Sequence, residues 1–334
     1  MKKGYDIIGD VHGCADKLEE LLTDLGYSIV SLSGAYEHPE RTAIFVGDLI
    51  DRGPTQLRVL KVVKAMVDAG SAQIVMGNHE FNAIAYATED PQNPGDFLRS
   101  RSDKNDGQHE AFLTQLTAEQ RSFYVAWFST FPLWLDLGEV RIVHACWHQP
   151  SIDLVVEQLG GNRFLSIDSF ADAARKTDPW SPLYGAIETI LKGPELDFAK
   201  YGAKNFMDKD KNVRHAARVR WWRDGATTLQ ELVEIPKGSL DETGQPYGDL
   251  PDALVDESDR SYSYEGKVPV IYGHYWRTGV PLEREDWTHS TACVDFSAVK
   301  GGTMVAYRWN GEDTINWHNY HPKCRGLVGH SPTT

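Results

Sequence analysis

The chain has 334 residues, 41% hydrophobic and 25% charged, enough apolar mass to bury a sizeable core in one large domain or two small ones. A formal net charge of -14 speaks against a protein that grips a nucleic-acid backbone, and no run of about 18 apolar residues is present to cross a bilayer. Cys14, Cys146, Cys293 and Cys324 lie far apart without CxxC pairs, against a disulfide framework or a thiolate zinc site; with no charged start leading into an apolar run, the expectation is reduced thiols in the cytoplasm.

From the N-terminus, Tyr5 to Ile8 predicts a strand ending at Gly9. Leu18, Leu21, Leu22 and Leu25 then predict a helix stopped by Gly26. Thr42 to Val46 predicts a second strand. Pro54 opens a helix with Leu57, Leu60, Val63 and Val67 on its stripe and Gly70 at its close. Gln73 to Met76 predicts a third strand, and the residues after Asn78 another helix. Thr88 to Gln108, polar and carrying Pro91, Pro94, Gly95 and Gly107, reads as an inserted surface loop. Thr117 and Gln120 fit a capping box ahead of a helix with Phe123, Val125, Trp127 and Phe128. Strands follow at Val140 to Val143, Val268 to Tyr272, Cys293 to Phe296 and Thr303 to Trp309. A second insertion spans Ile235 to Gly266, and its acidic stretch Asp249 to Asp259 reads as a solvated face. Such alternation implies a layered α/β architecture.

Five polar motifs follow apolar runs: Gly9-Asp10-Val11-His12-Gly13, Gly47-Asp48-Leu49-Ile50-Asp51-Arg52-Gly53, Gly77-Asn78-His79-Glu80, Val143-His144-Ala145 and Tyr272-Gly273-His274. In layered α/β folds ligands bind beyond the carboxyl ends of strands, so these termini can converge on one site. Asp10, His12, Asp48, Asn78, His144 and His274 offer the oxygen and imidazole donors that a pair of divalent cations takes. Asp10 and His12, two apart on an extended chain, point to one side. A carboxylate such as Asp48 can bridge ions about 3.5–4 Å apart, between which a water loses its proton near neutral pH.

In this order the motifs resemble the calcineurin-like metallophosphoesterase superfamily. The DRG ending and the glutamate of GNHE are similar to its phosphoprotein phosphatase branch, which includes bacterial Ser/Thr phosphatases and symmetrical diadenosine tetraphosphate hydrolases. The resemblance implies a four-layer α/β/β/α sandwich in a single catalytic domain, 1–320, with insertions at 88–108 and 235–266 and a tail at 321–334. It implies two divalent metals, manganese by preference with iron, zinc, nickel, cobalt or magnesium open. Asp10, His12 and Asp48 would hold one, and Asp48, Asn78, His144 and His274 the other. His79 would be the general acid, Asp51 its partner, and Arg52 a grip on phosphate oxygens. A second phosphate-binding arginine is assigned to Arg223 of Arg220-Trp221-Trp222-Arg223-Asp224, with Arg218 and Arg220 as rivals. Gly273-His274-Tyr275-Trp276 lacks the second histidine found in many other metallophosphoesterases, as in the phosphatase branch.

The preferred substrate on this reading is a phosphomonoester, on protein or small molecule. The alternative is symmetrical hydrolysis of a dinucleoside polyphosphate, and a third reading is an inactive binding module, which the intact donor set disfavours. Trp221, Trp222, Trp276 and Trp287 offer rings for stacking on a base, against the commoner role of filling a core.

Overall fold

The computed structural model describes residues 4–322 apart from 178, 209–210, 237 and 249. Leaving two-residue strands unnumbered, the main elements are β1 (Gly4–Ile8), α1 (Ala15–Asp24), β2 (Arg41–Phe45), α2 (Gln56–Asp68), β3 (Ala72–Ile74), α3 (Asn78–Ala87), α4 (Asp103–Gln115), α5 (Ala118–Phe128), β4 (Trp134–Asp136), β5 (Arg141–Val143), α6 (Gln149–Leu159), α7 (Ile167–Ala174), α8 (Pro182–Lys192), β6 (Glu195–Asp197), β7 (Ala216–Val219), β8 (Val270–Tyr272), β9 (Thr291–Cys293) and β10 (Ala306–Trp309).

One sheet runs β10-β1-β2-β3, its last three strands parallel and β10 antiparallel to β1. A second runs β9-β8-β5-β4, parallel except for β4. Side chains alternate across a strand, so each sheet has two faces to bury. Ile7 and Ile44 of the first sheet pack in one apolar cluster with Ile142, Ile271 and Ala292 of the second. Their neighbours Ile8 and Phe45 join Leu18 and Leu22 of α1 and Val59, Leu60 and Val63 of α2 in the other cluster. Val143, Val270 and Tyr272 of the second sheet belong to that same cluster, with Ile152 and Val155 of α6 and Ile187 and Ile190 of α8. Two sheets facing each other with helices outside make the α/β/β/α sandwich that the resemblance implied.

The predicted strands and helices of the first half recur within a few residues. The capping box at the start of α5 is formed: Thr117 Oγ1 accepts from the Gln120 amide at 3.3 Å and Gln120 Oε1 from the Thr117 amide at 2.9 Å. Between 88 and 108 the chain departs from a plain loop, because residues 103–108 are the first turns of α4, capped by Ser102. The segment 235–266 carries bridges at Leu240 and Leu254 and a helical turn, Glu257–Arg260, and buries Val255 and Tyr264. An antiparallel sheet of Val233–Glu234, β7 and β6, and the helices α6, α7 and α8, were not anticipated. Of the expected tail, His321 still pairs in the first sheet, while 323–334, with Cys324, lie outside the described residues. Cys14, Cys146 and Cys293 are free thiols. No helix among the described residues is long and apolar enough to cross a membrane.

Candidate metal centre

β1, β2, β3, β5 and β8 end, respectively, just before Asp10, Asp48, Asn78, His144 and His274, so the two sheets deliver their motif loops to one end of the sandwich. Close approach is possible there because two positions lack a β-carbon. One on Gly273 would lie 2.1 Å from Asp10 Oδ1, and one on Gly77 would lie 2.3 Å from the Asp48 amide nitrogen. The loops are also held in costly backbone: His12, Asp48, Asp51, Arg52, His274 and Trp276 all have φ between 43° and 73°. Non-glycine residues keep such angles only where the surroundings impose them, commonly at functional sites.

All six predicted donors are buried. The Asp48 Oδ2 atom has His144 Nε2 at 3.5 Å, His12 Nε2 at 3.6 Å and His79 Nε2 at 3.9 Å. Asn78 Oδ1 has His274 Nδ1 at 2.9 Å and His144 Nε2 at 3.0 Å. Ligand atoms cluster in two groups, His12-Asp48-His79 and Asp48-His144-His274, which share Asp48. Asp10 stands outside these groups but is tied to the second, its carboxylate accepting from the His274 amide at 3.2 Å.

These residues fit a pair of cations. His12 Nδ1 donates to the Ile50 carbonyl at 2.7 Å and His144 Nδ1 to the Val46 carbonyl at 2.8 Å. With Nδ1 so engaged, each ring turns its Nε2 toward the Asp48 carboxylate, and though burial lowers the His144 pKa, Asp48 outweighs it and raises it. Burial holds His12 down to about 3 and His274 well below the usual histidine range, so both rings are neutral. His12 Nε2, which faces Asp48 Oδ2, is buried without a hydrogen-bond partner, a costly state for a polar atom unless a cation accepts the lone pair. Burial, then the charges of Asp295 and Asp48, push Asp10 well above its ordinary value, whereas Asp48, despite burial, is drawn well below it by His144, His79 and His12.

Asp51 Oδ2 receives His79 Nδ1 at 2.5 Å, joining the predicted acid to its predicted partner. Burial alone would lower the His79 pKa, yet Asp48 and Asp51 outweigh it and raise it. Arg52 is exposed, its guanidinium 4.6 Å from the centre of the Trp276 ring, and that ring stacks on His12 at 5.2 Å. Arg223 is engaged by Glu285 and donates to the Arg284 carbonyl at 3.2 Å. Its rival Arg218, on β7, is the arginine whose charge, after burial, most depresses His274. Trp221 and Trp222 are core residues, 0% and 1% exposed, which leaves them no face for a base.

The calcineurin-like phosphoesterase family matches residues 5–209, more than half of the chain and four of the five motifs. The chain belongs to this family. A Bacillus subtilis relative named bis(5'-nucleosyl)-tetraphosphatase PrpE [asymmetrical] is 32% identical over 319 residues, 93% of each chain. A Vibrio parahaemolyticus relative named bis(5'-nucleosyl)-tetraphosphatase, symmetrical, is 25% identical over 91% of this chain and 94% of its own. A third, the Halalkalibacterium halodurans PrpE, is 53% identical over 76 residues, and that match spans 22% of this chain and 30% of the relative.

In this phosphoesterase three buried groups had no predicted role. Glu80 accepts from the amides of Asp48 and Leu49, both at 2.8 Å, and of Gly77 at 3.1 Å, so it ties the second motif loop to the third. Asp295 accepts from the amides of Trp276 at 2.7 Å and Ser297 at 3.0 Å and fixes the loop after His274. His109 of α4 donates to Asp51 Oδ1 at 2.7 Å. Glu80 was readable, since a glutamate three residues after a turn glycine is a capping pattern; the other two carry no local mark.

Proposed function

We propose that this phosphoesterase hydrolyses dinucleoside polyphosphates with two divalent cations held by Asp10, His12, Asp48, Asn78, His144 and His274. The observation that carries the catalytic half is the partnerless buried nitrogen His12 Nε2, facing Asp48 in a centre where two donor groups share that carboxylate. The substrate half is supported by the names of the Bacillus and Vibrio relatives, which align along more than nine-tenths of each chain. That support moves the preference from phosphomonoesters, favoured by the motifs alone, to the alternative reading. Bound cations supply Lewis acidity toward phosphate oxygens and a water acidic enough to attack near neutral pH; manganese, the preference implied by the resemblance, is the first metal to try.

The chain's own residues do the rest. Asp51 accepts the Nδ1 proton of His79 and so fixes the ring with Nε2 toward the centre, where it hands a proton to the departing oxygen. Arg52 and Arg218 grip the non-bridging oxygens, giving an acidic protein a local positive field. Arg218→Ala is therefore expected to raise KM about 10-fold, the order of one lost hydrogen bond to a charged group. Arg223→Ala should leave it within about two-fold, and a larger effect at Arg223 would reverse the assignment.

The deciding assay offers the manganese-loaded protein diadenosine tetraphosphate, a phosphopeptide panel and an aryl phosphate, with nucleotide products separated by chromatography. Turnover of the dinucleotide well above the other two is expected, two ADP marking symmetrical and ATP with AMP asymmetrical cleavage. Phosphopeptides turned over in preference would return the substrate to the phosphomonoester class. No turnover of any of them with any divalent metal, and no metal retained, would end the enzyme reading.

A further inference from the structure

We propose that His109 is a positioning residue for proton transfer, the outer member of a buried chain His109–Asp51–His79. The proposal rests on the reading of His79 as general acid and goes beyond it. His109 Nδ1 lies 2.7 Å from Asp51 Oδ1, and His79 Nδ1 lies 2.5 Å from Asp51 Oδ2, so one carboxylate uses both oxygens on two imidazoles. His79, Asp51 and His109 are 8%, 2% and 6% exposed. The two hydrogen bonds, opposing the effect of burial, hold Asp51 down to about 2, a permanent carboxylate. His109 is itself fixed, stacked on Phe112 with ring centres 4.8 Å apart and flanked by Tyr86 at 5.4 Å.

A carboxylate with one free oxygen can rotate and offer either oxygen, or both, to its partner. With Oδ1 occupied by His109, only Oδ2 remains for His79, which sets the plane of that ring and aims Nε2 past Asp48, whose Oδ2 is 3.9 Å away. During cleavage a water oxygen forms a new bond to phosphorus, the P–O bond to the leaving group breaks, and the proton on His79 Nε2 moves to the leaving oxygen. The Nδ1 proton of each histidine stays on its own ring, hydrogen-bonded to Asp51, and His109 loses nothing. Its contribution is direction and a stabilised imidazolium.

Two substitutions separate this role from mere packing. His109→Leu keeps bulk and removes the donor, while His109→Asn keeps an amide N–H close to the Nδ1 position. In the metal-loaded protein His109→Leu is expected to lower kcat for phenyl phosphate about 10-fold, the order of one hydrogen bond to a charged group, with KM and metal content unchanged. A dinitrophenyl phosphate, whose leaving group needs no proton, should lose less than about two-fold, and His109→Asn should recover most of the loss. Equal losses on both esters, or none on either, overturn the proposal. A readout free of activity is the proton spectrum of isotope-labelled histidine. His109→Leu should delete one downfield ring N–H signal and shift the His79 signal, and an unmoved His79 signal overturns the proposal. If the wild type turns over neither ester, the result bears on the substrate class alone, and the spectrum decides the geometry.

Discussion

Asp48→Asn is expected to weaken both cations together, by at least about 100-fold each, with turnover at limiting metal falling in step. The substitution keeps the shape of the side chain and an oxygen for the His79 amide, which donates to Asp48 Oδ1 at 2.9 Å. What it removes is the charge on Oδ2, the atom that three imidazole nitrogens face between 3.5 and 3.9 Å. Those nitrogens belong to both donor groups, so neither group is complete without it. Loss of a hydrogen-bond partner one layer out from a metal typically costs about 10- to 100-fold in affinity, and loss of a shared ligand's charge should cost no less. Metal titration against a competing chelator checks this. If one equivalent of metal stays as tightly bound as in the wild type, Asp48 is not shared.

The site was legible because its donors sit where strands stop. Asp10, Asp48, Asn78, His144 and His274 each follow a short apolar run, and that local pattern survives in a linear reading because the strand and its terminal loop are neighbours in the chain. His109 and Arg218 enter differently. His109 reaches Asp51 across 58 residues, on a helix whose first six residues, 103–108, fell in the polar stretch read as a loop. Arg218 reaches His274 from β7, part of a small sheet assembled from strands of at most four residues. Arg223 took the assignment by its motif, and its pairing with Glu285, 62 residues away, left no local mark. The fold divides in the same way. Helices α6 and α8 do carry apolar residues at helical spacing, Ile152, Val155 and Leu159 in one and Leu183, Ile187 and Ile190 in the other, so they were recoverable by the periodicity that found α1. The partners of a buried ionic group were not, because charge complementarity over long separations leaves no period to read.

His79→Asn should cut turnover by roughly 10²- to 10⁴-fold while both metals remain, the range expected when a general acid is removed. The geometry frames a sharp alternative. His79 Nε2 is 3.9 Å from Asp48 Oδ2 and belongs with His12 and Asp48 to a group able to hold an ion, and a ligand histidine commonly donates its other nitrogen to a carboxylate, as His79 does to Asp51. The two roles differ in what the variant loses. An acid takes with it the proton of the leaving group, so metal content is retained and the defect grows with the basicity of that group. A ligand takes with it a metal, so content falls and the defect is the same for every ester. The pH profile adds a sign. Burial lowers the His79 pKa but the charges of Asp48 and Asp51 outweigh it, so the ring keeps its proton to higher pH than an ordinary histidine. An acid of this kind is active below its raised pKa, and the rate falls as pH climbs through it. That alkaline limb should be present in the wild type and absent in His79→Asn; a limb that survives the substitution, or a variant that purifies without metal, would assign His79 to the cations instead.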